Sequence, residues 1–241
     1  MSPEKLEKNL RNPRDKKEIQ EETKETLGLL ELEMLVQKAT EKADKKIAPK
    51  SYADLCEKNP ELVALIKQVA EEFSMPEELL YATFEHESNF KHGLRGDWDL
   101  NSIGIGQIRP SAWKDIHTKR NKEFKEFRVL MEKHYPGKKF KRGENLFVDI
   151  AASAAYLKYL GNDNVDFDDK LRDHRLIYLR QQYKSGRGNT SQMTKFLDLA
   201  KEKCKKEKCE PVKKVYTDFV KTYRKYHDSR KEMAQAELPA K

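Results

Sequence analysis

Glu87 is the residue in this chain whose type and spacing point most directly to acid–base chemistry. In the segment Pro76–Ser88, Leu80, Thr83, Phe84 and Glu87 follow one another at intervals of three, one and three, so they share one face of a helix. That face is apolar until its last turn, where a carboxyl group stands just before the chain leaves for a loop. Glu85 is expected on the other side of the helix, toward solvent. Burial disfavours an ionised carboxylate, and the negative end of a helix dipole acts the same way. Glu87 should therefore keep its proton nearer neutral pH than an ordinary glutamate does, which is what a general acid requires. A helix-end glutamate that merely emerges into water has the same periodicity.

The elements that must hold Glu87 read as helices. Asn59-Pro60 opens one through Leu62, Leu65, Ile66 and Val69. Ser74, ahead of Met75-Pro76-Glu77, is expected to cap the Glu87 helix, with Glu77 reaching back as in a capping box. A loop rich in Gly, Asp and Asn runs over 89–106, and Pro110-Ser111 starts a helix near Trp113. Pro136-Gly137 marks a turn. Helices are predicted over 147–160, stopped by Gly161, and over about 168–184, 191–206 and 211–234. Near the N-terminus, Leu27, Leu30 and Met34 fall on one face of a charged helix expected to dock lightly, ended by Ala48-Pro49-Lys50-Ser51. No stretch alternates as a strand and no repeat is visible. The fold class predicted is mainly α, with a charged helical extension over 1–50, a central domain over 51–190, and C-terminal helices over 191–241 packing on it.

Composition narrows the function classes. Charged and hydrophobic residues each make up 37% of the chain, so part of it buries little. Net charge is 49 − 41 = +8, which suits an anionic polymer, either nucleic acid or an anionic cell wall. The basic runs Lys138–Arg142 and Lys205–Lys208 read more simply as solvated surface, so no nucleic-acid partner is expected. Cys56, Cys204 and Cys209 match no zinc spacing, and the six histidines form no His-x-x-x-His pair. His86, though adjacent to Glu87, points away on a helix. No metal or cofactor is expected. Met1–Lys17 shows no signal peptide and no apolar run is long enough to span a membrane. A monomer is expected.

Beyond the helix, the sequence reads Glu87-Ser88-Asn89-Phe90 and then Ser102-Ile103-Gly104-Ile105-Gly106-Gln107-Ile108-Arg109-Pro110. This resembles the catalytic core of the soluble lytic transglycosylase family, related to the goose-type lysozymes. There, a Glu-Ser-x-Phe helix end precedes a Ser-containing loop and a Gly-Leu-Met-Gln-x-x-Pro stretch. Asn145-Leu146 with Tyr156-Leu157, and Gln182-Tyr183-Lys184-Ser185-Gly186, resemble two further motifs of that family. Ser153 and Lys184 depart from its usual Gly and Asn. The likeness covers about residues 60–190.

The resemblance implies a lysozyme-like helical domain that cleaves the bond between N-acetylmuramic acid and N-acetylglucosamine in peptidoglycan glycan strands. It implies that Glu87 protonates the leaving glycosidic oxygen and then acts as base. Ser88, Ser102, Ile105, Gln107, Tyr156 and Tyr183 would line the sugar groove or support the Glu87 carboxyl group. Gly104 and Gly106 would let the backbone approach a bulky sugar. Most glycosidases use two carboxyl groups. Asp97 or Asp99, in Gly96-Asp97-Trp98-Asp99, would serve as the second in a hydrolytic muramidase, which is the alternative reading. Otherwise the substrate's own N-acetyl and 6-hydroxyl groups finish the reaction as a 1,6-anhydro product. A wall-binding module without catalysis is the remaining alternative. The expected place of action is the bacterial cell wall, reached by secretion or phage delivery.

Overall fold

The computed structural model describes residues 13–44, 47–96, 101–161, 183 and 210–236. Among them are eight helices and no sheet, so the protein is mainly α. In chain order these are α1 (Pro13–Ala43), α2 (Tyr52–Lys58), α3 (Pro60–Glu72), α4 (Glu77–Ser88), α5 (Pro110–Thr118), α6 (Lys122–His134), α7 (Leu146–Gly161) and α8 (Glu210–Ala236). None of them is long and apolar enough to cross a membrane. The segments 168–182 and 191–206, expected as helix, lie outside the described residues.

Two helices are buried on nearly every side. In α7, fifteen of sixteen residues are buried. In α4, burial runs unbroken from Glu77 to Phe84. A helix apolar all round belongs in the middle of a domain, and α3, α4 and α7 pack on one another there. Around them lie α1 against α3, α5 and α6 against α7, and α8 against α4 and α2.

Local signals account for several boundaries. Asn59 caps α3 by accepting from Leu62 N–H (3.0 Å), and its Nδ2 donates to Ala39 O of α1 (3.1 Å). Pro110 begins α5, and Gly161 is the last residue of α7. The turn after α6 carries Gly137 at φ +68°.

Two expectations are corrected. The buried stripe of α1 is Leu32, Val36, Ala39 and Ala43, whereas Leu30 is 52% and Met34 55% exposed. This stripe continues at helical spacing through two alanines, which let α1 approach α3 closely, so the helix over 32–43 is seated in the core and does not dock lightly. Nor does Ser74 cap α4. It adopts φ +49° at the end of α3, where Ser74 N–H bonds Glu71 O and Met75 N–H bonds Ala70 O. Those two bonds make a Schellman ending for α3, and an αL residue committed to one helix end cannot cap the next. α4 opens at Pro76 with no side-chain cap.

At its N-terminal turn α4 instead presents two buried glutamates to α8. Arg230 Nε meets Glu77 (2.8 Å), and Arg230 Nη1 meets Glu78 (2.6 Å). Tyr81 O–H donates to Glu77 (2.6 Å). The apolar face of α8 buries Phe219, Tyr223 and Tyr226 at spacings of four and three, each contributing about 1.5–3 kcal/mol of hydrophobic stabilisation.

Candidate functional site

Glu87 is half-buried in the last turn of α4, on the stripe shared with Leu80, Thr83 and Phe84, all buried. The helix stops because Asn89 and Phe90 both enter the left-handed region, at φ +51° and +63°. Asn tolerates that conformation through its short polar side chain. Phe90 does not, and it is held there by packing: it is fully buried, with its ring edge-on to Tyr226. Strained residues of this kind persist where the surroundings over-determine them, and they cluster at functional sites. Gln107, at φ +49°, is another.

The loop 101–109 folds back on itself and onto this helix end. Ile103 bridges Arg95 on one side and Ile108 on the other. Ser88 Oγ donates to Ile105 O (2.7 Å) and also lies within reach of Phe84 O (3.1 Å), which ties the loop to the residue next to Glu87. Tyr183 O–H donates to Gly106 O (2.6 Å). Gly106 has no room for a side chain, because a Cβ would overlap Ser153 Oγ and crowd the Tyr183 hydroxyl. Ser153 fits there because its own hydroxyl turns back to Asp149 O (2.8 Å).

The structure thus brings Ser88, Ile105, Gly106 and Tyr183 together around the turn that carries Glu87. It gives the other expected residues different surroundings. Gln107 Nε2 donates to Leu94 O and Gly104 O, both at 2.9 Å, and its Oε1 accepts from Ser102 Oγ at 3.3 Å. Both ends of its amide are engaged in holding the loop. The Ile105 side chain is fully buried, so what it gives the site is its carbonyl. Tyr156 is a core aromatic with its ring against Tyr183 (5.7 Å between centroids), and burial holds its hydroxyl proton up to a pKa of about 12. Asp97 and Asp99 lie outside the described residues, as do Cys204 and Cys209. Cys56 is a half-buried free thiol.

Other residues carry more than the sequence suggested. Glu85 is not left to solvent: Lys225 Nζ (2.6 Å) and Tyr226 O–H (2.5 Å) both donate to its Oε2. His86 lies against α8, with Nε2 3.0 Å from Thr222 Oγ1 and its ring edge-on to Phe219. Beneath the loop, Asp149 is buried beside His92. Burial raises its pKa, against the opposing pull of His92, the Gly143 N–H and Arg142. One signal could have flagged Asp149: it is the single acidic residue in the mostly apolar run Leu146–Gly161.

Fold and site together define a mainly helical protein in which the half-buried Glu87 precedes a strained helix exit, with a glycine loop tied to its neighbour Ser88. No protein-family model matches the chain, and searches of curated proteins and of solved structures also find no match.

Proposed function

We propose that this chain is a peptidoglycan lytic transglycosylase with Glu87 as its general acid and base. The observation that carries the reading is the convergence, at the end of α4, of residues far apart in sequence. Ser88 holds Ile105, and Tyr183 holds Gly106, so a tight glycine loop is fixed against the turn that carries the half-buried Glu87. A protonated Glu87 would give its proton to the glycosidic oxygen between N-acetylmuramic acid and N-acetylglucosamine as that C–O bond breaks. The resulting carboxylate would take the proton of the muramic 6-hydroxyl as its oxygen bonds to C1. The ring closes as a 1,6-anhydro sugar, Glu87 regains its proton and no water is consumed. The net positive charge of the chain suits approach to an anionic wall.

The test is mass spectrometry of muropeptides released from purified peptidoglycan by the wild type and by Glu87→Gln. The expected result is anhydro-muropeptides from the wild type and a loss of about 10²–10⁴-fold in release for the variant. Products with reducing ends would replace transglycosylation by hydrolysis. Equal clearing of walls by both proteins would remove Glu87 from the chemistry.

A further inference from the structure

Under the loop lies a pair of side chains that the proposed reaction leaves unused. His92 follows α4 and Asp149 stands in the first turn of α7, and both are buried. His92 Nε2 and Asp149 Oδ2 are 3.2 Å apart. Neither atom has a well-aligned hydrogen-bond partner among the described residues, and each is the other's nearest titratable neighbour there. Asp149 Oδ1 accepts from Gly143 N–H (3.0 Å).

The backbone is moulded to this pair. Gly104, at φ +87°, lies over Asp149 Oδ2 so closely that a Cβ would overlap it. Gly143, at φ +73°, is closed off by Ile103 in the same way. The backbone N–H of His92 donates to Ala43 O (3.0 Å), so the end of α1 is tied in as well. Four segments therefore meet at two titratable atoms.

Lone pairs on a nitrogen and an oxygen at this distance repel unless one proton lies between them. The contact is then either imidazole N–H to carboxylate or carboxylic acid to imidazole nitrogen. With no proton there, a charge is buried uncompensated. With two, hydrogens face each other. The other charged groups near the pair are Arg142, ahead of α7, and Asp44, whose Oδ1 lies 3.7 Å from where a Cβ on Gly93 would stand.

We infer that His92 and Asp149 form a positioning pair, whose single shared proton holds the Gly104–Ile108 loop closed on the turn that carries Glu87. The effect on loop geometry stands by itself, and only its consequence for catalysis rests on the function proposed above.

Amide hydrogen exchange on the full chain, between pH 5 and 8, tests it in the wild type, Asp149→Asn and His92→Gln. Asp149→Asn keeps the shape and the acceptor for Gly143 but supports only a neutral imidazole. Its amides at Gly104, Gln107, Ile108 and Gly143 should exchange at least about tenfold faster than in the wild type, most strongly at acid pH. Amides within α3 and α7 should be unchanged. His92→Gln still offers an N–H to Asp149 without titrating, so its loop should stay protected with the pH dependence flattened. It also keeps the test decisive should Asp149→Asn fail to fold. Loop protection that is identical in the wild type and the folded variants at every pH overturns the proposal. On purified walls, turnover should track loop protection across pH while wall affinity holds within about twofold. A wild type without lytic activity would sink the role of Glu87, and the exchange data would still decide the pair.

Discussion

Glu85 and Glu87 stand two residues apart on the same turn of α4 and meet different surroundings. Glu85 turns to α8, where an ammonium and a phenol converge on one oxygen, and Arg230 pins the other end of the same helix face. Glu87 lies on the opposite stripe, beside the loop that Ser88 and Tyr183 fix in place. A carboxylate that accepts from an ammonium and a phenol on a neighbouring helix ties α4 to α8. The other stands where α4 ends at two left-handed residues, and it is the one to which the proposed function assigns the proton. Chain position within the turn, through the helical period, gives the two side chains opposite faces.

The largest expected effect breaks that comparison outright. Glu87→Gln should abolish most wall lysis with little change in melting temperature, whereas Glu85→Gln should do the reverse. Side-by-side lysis assays and thermal melts of the two variants check this. Next comes the loop itself. Gly106→Ala forces a Cβ into Ser153 Oγ and should cost about 1–3 kcal/mol together with most lytic activity. Adding Ser153→Gly should recover a large part of both, read as a double-mutant cycle. Glu85→Gln weakens charge-assisted bonds to Lys225 and Tyr226 and should lower stability by about 1–3 kcal/mol in urea titration, with lysis kept within about threefold.

The smallest effect is alkaline. Burial, then Glu85, raises the pKa of Tyr226 above its ordinary 10.0. Burial is also the main cause that lifts Tyr52 and Tyr156, each to about 12. A pKa raised in the folded state means that the native protein holds more protons than the unfolded chain above pH 10. That part of the stability is complete below pH 10 and declines as the pH rises toward 12. Melting temperature followed from pH 9 to 12, with phenolate absorbance on the same samples, should show these tyrosines ionising only as the fold is lost.

How much of this was legible in the sequence follows the range of each signal. Asn59-Pro60, Pro110 and Gly161 act on neighbours a few residues away, and the helices begin or end there. The stripe from Leu80 to Glu87 is also local, and it placed the candidate acid on its face. The partners of Glu85 lie 140 and 141 residues downstream, and no period announces them. The face of α1 was misread because Leu27, Leu30 and Met34 outweigh Ala39 and Ala43 in hydrophobicity, whereas helix contact selected small residues. Ser74 was read as a cap because Ser is common there, but its backbone served the preceding helix.

The fit of Gly106 to Ser153 also limits how sequences of this kind can drift. Ser153 Oγ lies where a Cβ on residue 106 would stand, and a glycine at 153 would leave only the Tyr183 hydroxyl crowding that position. The shrinking substitution at 153 costs about 1 kcal/mol, as a glycine inside a helix does, and it lowers the barrier to the enlarging one at 106. The two positions are therefore coupled, and a larger residue at 106 is better accepted beside a smaller one on α7.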